Sequence, residues 1–291
     1  MNVSVLRDVL ADAVIDTVKL IPFLFLTYLL MEWLEEKTGE KAVSMIRRNG
    51  RWGPVIGAAL GIVPQCGFSA AAASLYSGGL ITVGTLLAIF LSTSDEMLPI
   101  MISEAVSPLI IGKILLTKIV LGLLFGIGID TLNKFRHRWK KDKEKHIHDL
   151  CEQDHCHCEE GNVFLSALRH TIQIVIFILI FTFVIGLLIE LVGEDAIGTF
   201  LTSRPVTGVL LSALIGLIPN CGASVTITEL YLRGILSPGQ MTAGLLVGAG
   251  VGLMVLFRTN RRLVENLKIT GILYLAGVLG GWIIELTGIV F

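Results

Sequence analysis

A four-residue motif occurs twice in the sequence, as Pro-Gln-Cys-Gly at residues 64–67 and as Pro-Asn-Cys-Gly at residues 219–222. Both copies interrupt an apolar stretch. Proline breaks a helix because it has no backbone N–H, and glycine permits the turn that must follow. Inside a membrane, the carbonyl and amide groups freed by such a break must face protein or a water-filled cavity. The residues expected to make the two turns are Pro64, Gly67, Pro219 and Gly222.

Each motif also places a thiol and a carboxamide beside the freed backbone, and both groups can bind a metal ion. A serine hydroxyl follows one helical turn later in each copy. The predicted substrate ligands at the two turns are Gln65, Cys66, Asn220, Cys221, Ser69 and Ser224. The alternative is that proline and small residues only kink two packed helices, with the cysteines as small hydrophobic side chains. Duplication of the whole motif favours the substrate site.

A second candidate site is the stretch LSTSDEMLP at residues 91–99. Ionisable side chains inside a membrane are costly unless they have a partner or a function. Asp95 and Glu96, preceded by Ser94, therefore predict a path for a cation or a proton. The corresponding stretch after the second motif, VGAGVGLMV, offers no such ligand. The alternative is that the two acids mark a helix near the outer surface.

The stretch HIHDLCEQDHCHCEE, residues 146–160, concentrates histidine and cysteine side chains. Such tracts bind borderline and soft metals, although this spacing matches no folded zinc module. A flexible tail that captures metal is expected, and a merely solvated charged loop is the alternative. The predicted capture ligands are His146, His148, Cys151, His155, Cys156, His157 and Cys158.

The chain is too apolar for a water-soluble domain, since 53% of its 291 residues are hydrophobic and 16% are charged. Apolar runs long enough to cross a bilayer as helices lie at about 14–34, 80–102, 108–130, 171–190, 235–257 and 266–291. Two further apolar stretches, 53–77 and 208–232, contain the motifs. No cleavable signal precedes Leu20, so the first span is expected to be retained. These features predict an all-α integral membrane protein.

The two motifs belong to a longer internal repeat. At an offset of 155 positions, residues 61–80 match residues 216–235 with eight identities. Fixed-offset similarity of this kind indicates duplicated structural units. The expected division is a first transmembrane repeat at 1–133, a linker at 134–162 and a second transmembrane repeat at 163–291.

Basic residues predict the orientation of the repeats, because cytoplasmic loops collect Lys and Arg. Residues 35–52 carry five basic side chains, whereas the corresponding residues 190–205 carry only Arg204 beside three acids. This reversal predicts inverted-topology repeats, with the basic linker in the cytoplasm. Inversion requires an odd number of crossings per half. The stretches 53–77 and 208–232 are therefore interpreted as broken re-entrant hairpins, each followed by one full crossing, which gives about ten helical segments in all.

The PQCG and PNCG motifs, the STSDEMLP stretch and the His/Cys-rich loop resemble the ten-segment heavy-metal exporter permeases of bacteria. Members of this family are labelled arsenic efflux proteins or manganese transporters. The resemblance covers essentially the whole chain outside the loop. It implies a multi-pass exporter of a metal or metalloid in the prokaryotic inner membrane, and it leaves the substrate open because the labels disagree.

Ligand chemistry ranks the substrates. Carboxylate, amide and hydroxyl oxygens suit Mn²⁺, whereas thiolates suit trivalent arsenic, Zn²⁺ or Cd²⁺, so a mixed site favours a borderline divalent ion. Export of a divalent transition metal such as manganese comes first, and efflux of arsenite or an organoarsenical comes second. A membrane metal or redox sensor is the alternative from another class.

The remaining expectations concern energy and partners. No nucleotide-binding motif is visible, so an ion gradient is the expected energy source, with H⁺ as the candidate coupling ion. We expect no permanently bound cofactor, no catalytic residue and no nucleic-acid partner. The partners are the lipid bilayer and the metal ion, and self-association is left open.

Overall fold

The computed structural model describes residues 52–62, 66–94, 97–137, 163–192, 205–289 and 291, together with most of 7–29. No strand occurs among these residues, and the described residues of 7–29 are helical. The first half continues with α1 (Gly53–Gly61), α2 (Cys66–Ser77), α3 (Val83–Ser92), α4 (Met97–Ser103) and α5 (Pro108–His137). The second half contains α6 (Val163–Val192), α7 (Pro205–Gly216), α8 (Cys221–Leu232), α9 (Pro238–Val247), α10 (Val251–Thr259) and α11 (Leu263–Thr287). The prediction of an all-α protein is confirmed.

Five apolar segments of the described chain are long enough to cross a membrane: Val83–Ser103, Pro108–Lys134, Ala167–Val184, Pro238–Thr259 and Leu263–Thr287. They coincide with five of the six predicted spans, and the other one, 14–34, extends beyond the described residues. In the apolar stretch of Pro238–Thr259, 89% of the residues are buried, against 33% in Pro108–Lys134. Pro238–Thr259 is therefore central. Pro108–Lys134 presents a lipid-facing side, on which Leu109, Leu116, Leu124 and Leu132 are exposed.

Corresponding helices of the two halves begin and end through the same local devices. Thr82 and Ser237 are the N-caps of α3 and α9, and each side chain accepts a hydrogen bond from a backbone N–H of its helix. Gly79 and Gly234, which follow α2 and α8, have φ angles of 75° and 73°. This left-handed conformation ends a helix at little cost only for glycine. The repeated sequence thus produces repeated helix boundaries.

A carboxylate stabilises the same helix start in each half. Asp130 of α5 accepts hydrogen bonds from the N-cap hydroxyl of α3 at 2.6 Å and from the Gly84 N–H at 2.9 Å. Glu285 of α11 accepts from the N-cap hydroxyl of α9 at 2.7 Å and from the Gly239 N–H at 3.1 Å. Negative charge is favourable at a helix N-terminus, so these two acids have a structural role.

Small residues allow the helices of each half to pack closely. Gly53, Gly57 and Gly61 lie along the face of α1 that contacts α3. A Cβ on Gly53 would lie 2.3 Å from the Thr85 hydroxyl, and one on Gly61 would lie 2.1 Å from the Ser92 hydroxyl. Close approach through small residues is typical of membrane helices. Because later residues of α1 meet later residues of α3, the two helices run parallel.

The long helix α5 packs against α3 through a second pair of glycines. A Cβ on Gly122 would lie 3.1 Å from the Ala88 carbonyl oxygen, and one on Gly126 would lie 2.7 Å from the Gly84 carbonyl oxygen. Later residues of α5 therefore meet earlier residues of α3, and the helices are antiparallel. The corresponding glycines of α11 approach α9 in the same way.

The two halves contact each other reciprocally, with α2 against α10 and α8 against α4. In the first of these contacts Ser69 lies against Gly252, and the Ser77 hydroxyl hydrogen-bonds the Thr259 hydroxyl at 2.7 Å. The helices α2 and α10 are therefore parallel. Helices α3 and α9 also meet, which brings the central segments of both halves together.

Candidate functional site

Both central spans are interrupted, where hydropathy predicts one continuous crossing at 80–102 and another at 235–257. Helix α3 ends at Ser92 and α4 begins at Met97, while α9 ends at Val247 and α10 begins at Val251. Gly250 has φ 51° and ψ −137°, a combination that is available in practice only to glycine. Each half therefore carries a helix break at the same position of the repeat.

The two breaks meet at a buried lysine. Lys118, near the middle of α5, is 2% exposed. Its ammonium group donates one hydrogen bond to the carbonyl oxygen of Thr93, directly after α3, and another to the carbonyl oxygen of Leu245, in the last turn of α9, at 2.9 Å. The C-terminal ends of α3 and α9 both face this group, so the partial negative charges of two helix dipoles stabilise it. Lys118 thereby joins the two halves.

Lys118 is not among the residues that the sequence motifs indicate. It lies inside the apolar run ILLTKIVLGLLFG, and an ionisable residue within a membrane segment is a functional signal in its own right. Its counterpart at the offset of 155 positions is Leu273. Comparison of the two halves at this position would therefore have found it.

The break after α3 lies beside the C-terminal end of α1. The Ser94 hydroxyl donates a hydrogen bond of 2.5 Å to the carbonyl oxygen of Ile62, the residue that follows α1. Ser69, one turn into α2, is fully buried, and a Cβ on Gly252 would lie 2.7 Å from its Cβ atom. Two of the predicted serine ligands, Ser69 and Ser94, are thus buried where the helix ends of the two halves converge.

The second hairpin tip comprises residues 217–220, with Pro219 in the turn itself. Asn220 is the N-cap of α8, and its side-chain oxygen accepts a hydrogen bond of 3.3 Å from the Gly222 N–H. This bond satisfies one of the free N–H groups at the start of α8. Ser224, the counterpart of Ser69, is only partly buried. The carboxamide predicted as a ligand therefore also stabilises the tip.

The motif glycines lie directly after the two tips, at the starts of helices. Gly67 and Gly222 are the second residues of α2 and α8, so they lie inside helices. The described glycines with positive φ are instead Gly79, Gly234, Gly250 and Gly288. The turn before α8 needs no left-handed residue, because the cap residue Asn220 is extended, with φ −143° and ψ 145°.

A family model described as "Putative, 10TM heavy-metal exporter" matches residues 2–194 and residues 159–289. The chain belongs to this family. The resemblance indicated by the motifs is thereby confirmed, and the protein is a multi-pass membrane protein of a heavy-metal exporter family. No curated protein and no solved structure matches the chain significantly.

For several of the predicted ligands in this member of the exporter family, the side chain or the whole residue lies outside the described structure. Cys66 and Cys221 begin α2 and α8, but their side chains are not among the described atoms. Within the described residues, no group of three or more His, Cys, Asp or Glu side chains could hold a metal ion. The other predicted site residues outside the described ranges are Pro64, Gln65, Asp95, Glu96, His146, His148, Cys151, His155, Cys156, His157 and Cys158.

The region where the ends of α3 and α9 meet Lys118 is called the junction. Its described part can supply three kinds of polar group. Backbone carbonyl oxygens lie at the ends of α3 and α9, serine hydroxyls lie at Ser69 and Ser94, and one ammonium group lies at Lys118. Oxygen donors of these kinds can replace part of the hydration shell of a hard or borderline cation. The buried ammonium group places a fixed positive charge beside them.

Proposed function

We propose that this protein is a secondary transporter that exports a metal ion through a site at the junction of its helix breaks and hairpin tips. The observation that carries the proposal is the meeting of two broken helices, one from each half, inside a member of a heavy-metal exporter family. Transporters build midplane substrate sites from such broken helices, because the free backbone groups there are shielded from lipid.

Helix directions support inverted repeats, beginning with the first half. Helix α1 runs parallel to α3, and residues 62–65 and 78–82 connect both through α2, so α2 runs the opposite way. Helix α5 begins only four residues after α4 ends and then meets Thr93, Ala88 and Gly84 in turn, so it runs back along α4 and then along α3. Helix α4 therefore continues in the direction of α3. Helix α4 therefore leaves the junction on the side opposite to the one where α1 begins.

The second half follows the opposite course. Helix α10 is parallel to α2, so it leaves the junction toward the side where α1 begins. The helix segments that follow the two breaks thus point in opposite directions, as inverted repeats require and parallel repeats do not. The nine residues of α1 extend about 14 Å, roughly half of the hydrocarbon core, which supports a re-entrant hairpin.

The substrate is inferred to be a divalent transition metal, with manganese as the first candidate. The contact between Ser94 and Ile62 supports a shared site. Asp95 directly follows Ser94, and Pro64, the first residue of the first motif, lies two residues after Ile62. Carboxylates and amides would bind Mn²⁺, and the two cysteines would extend the site toward softer ions. Arsenite or organoarsenical efflux is the second candidate, favoured by those cysteines. The inferred ligands are Asp95, Glu96, Gln65, Cys66, Asn220, Cys221, Ser69, Ser224 and Ser94.

The remaining features of the proposal follow from sequence. The carrier would lie in the inner membrane of a prokaryotic cell. The linker between α5 and α6 would lie in the cytoplasm and deliver metal to the carrier. H⁺ is the candidate coupling ion. The transported ion is cargo, and no resident cofactor or catalytic step is invoked. A metal or redox sensor would bind metal without moving it, so a flux measurement separates that alternative.

The test is flux of Mn²⁺ and of arsenite in liposomes containing the purified protein. Asp95→Asn should abolish Mn²⁺ flux in folded protein, because it removes a negative charge that offsets a divalent ion in a low dielectric. Glu104→Gln is the matched control, since Glu104 is an exposed acid in the turn after α4, and it should transport normally. Normal Mn²⁺ flux by Asp95→Asn would contradict the site, and flux of arsenite alone would establish the second candidate.

A further inference from the structure

We propose that Lys118 is a resident cation of the transport site and that its charge sets how tightly the site holds a metal ion. The inference rests on the proposed metal transport and adds a specificity-determining residue to it. In the empty carrier the ammonium group would stand in for the cargo. In the loaded carrier it would repel the cargo and promote its release.

The first observation is the position of the ammonium group. It lies at the junction of two helix breaks and binds one carbonyl oxygen from each half. Carbonyl oxygens at the ends of broken helices are the groups that hold cations in transporters of this construction. The ammonium group therefore occupies oxygen atoms that a transported cation could use.

The second observation is that packing does not require a lysine at this position. Leu273, the counterpart of Lys118 in the second half, is fully buried in α11. An apolar side chain therefore satisfies the same place in the repeat. Burying an ammonium group instead of a leucine is costly, so the charge and the hydrogen bonds of Lys118, and not its volume, account for its presence.

The third observation is that one carbonyl bound by Lys118 belongs to a residue close in sequence to the acidic pair Asp95 and Glu96. Thr93, whose carbonyl accepts from Lys118, precedes Asp95 by two residues in the sequence. In the proposed site, the positive charge of Lys118 offsets these acids while no metal is present. The same charge lowers the affinity for a divalent ion, and a carrier benefits because it must release its cargo on the far side.

The experiment measures Mn²⁺ binding and Mn²⁺ flux for the full-length protein and three variants. Lys118→Met keeps the length of the side chain and removes the charge, and Lys118→Arg keeps the charge. Lys113→Met is the matched control, since Lys113 is an exposed lysine on the same helix. Thermal unfolding of each variant in detergent verifies that it is folded, and Lys118→Gln replaces Lys118→Met if the latter does not fold.

The expected result is a split between affinity and turnover. Lys118→Met should bind Mn²⁺ at least about tenfold more tightly and should show a lower KM together with a lower kcat, because the repulsion that drives release is gone. Lys118→Arg and Lys113→Met should stay within about threefold of the wild type in both quantities.

Two results would overturn the inference, and they differ in what they leave standing. If the folded Lys118→Met protein binds Mn²⁺ no more tightly than Lys113→Met does, Lys118 is a structural tie and the proposed transport function survives. If the wild-type protein binds neither Mn²⁺, Zn²⁺ nor arsenite, both the transport function and the role of Lys118 fail.

Discussion

Ionisable side chains in the membrane segments of this protein have different roles, and their hydrogen bonds distinguish them. Asp130 and Glu285 accept from helix N-termini, so they stabilise α3 and α9. Glu265 accepts a hydrogen bond from Tyr76 and ties the start of α11 to α2. Lys118 instead binds the carbonyl ends of two broken helices. Of these four residues, Lys118 alone lies at the junction where the substrate is proposed to bind.

The duplicated cysteines permit a prediction about metal preference. Cys66→Ser and Cys221→Ser should each shift preference from Cd²⁺ toward Mn²⁺, because a hydroxyl is a harder ligand than a thiolate. The double alanine variant should transport less than either single alanine variant. Competition between Cd²⁺ and Mn²⁺ in the liposome flux measurement tests this, with Ser103→Ala, a change at an exposed residue of α4, as the control. A double alanine variant with normal rate and unchanged preference would leave the cysteines as packing residues.

At the scale of elements, the breaks in the two central helices differ in chemistry. The first is built around Thr93 and Ser94, whose polar groups bond to Lys118 and to Ile62. The second is built around Gly250, where backbone conformation replaces side-chain contacts. The halves thus share a break at the same position but maintain it by different means. One break can therefore carry ligands while the other provides backbone and space.

Gly250 should be intolerant of a side chain. Gly250→Ala places a Cβ at φ 51° and ψ −137°, which costs roughly 1–3 kcal/mol for a residue other than glycine. The variant should unfold at a lower temperature and transport more slowly. Gly248→Ala is the matched control, because φ there is −64° and the nearest atom to the added Cβ would be 3.4 Å away. Equal losses of thermal stability in both variants would show that the conformation of Gly250 is not the constraint.

At the scale of the whole molecule, the reciprocal contacts between halves are unequal. Helix α2 meets α10 with a hydrogen bond between Ser77 and Thr259. Helix α8 meets α4 within an apolar cluster that includes Met97, Met101 and Ile227. A carrier that opens alternately on two sides must loosen these two interfaces in turn. In the proposed transport cycle, the different chemistry of the two interfaces predicts that the two openings have different free energies.

Topology is tested at two engineered sites in the loops that the charge pattern places on opposite sides. A cysteine at Arg47 should react with a membrane-impermeant thiol reagent only from the cytoplasm, and one at Glu194 only from outside, because basic residues accumulate in cytoplasmic loops. The native cysteines are replaced by serine beforehand, and reaction in permeabilised cells is the control. Labelling of both sites from the same side would contradict the inverted arrangement.

Much of the fold follows from the sequence because the rules that produce it are local. Hydropathy over about 20 residues predicts the spans, and the offset of 155 positions predicts that α8 and α9 repeat α2 and α3. The helix caps are local as well: Thr82 and Ser237 begin helices, and Gly79 and Gly234 end them. The spans and the cap residues can be recognised within windows of about 20 residues, and the repeat can be recognised by comparing the two halves of the sequence.

The junction depends on the tertiary structure, because its contacts join distant parts of the chain. Lys118 bonds to carbonyl groups 25 and 127 positions away, and Ser94 bonds to one 32 positions away. An apolar run has the same hydropathy whether its helix is continuous or broken, so the sequence predicts unbroken crossings at 80–102 and 235–257. Only packing supplies partners for the free backbone groups, which is the condition for a helix break inside a membrane. The sequence by itself therefore determined the class, the spans and the duplication, and the tertiary structure decided where the helices break and that a lysine joins the breaks.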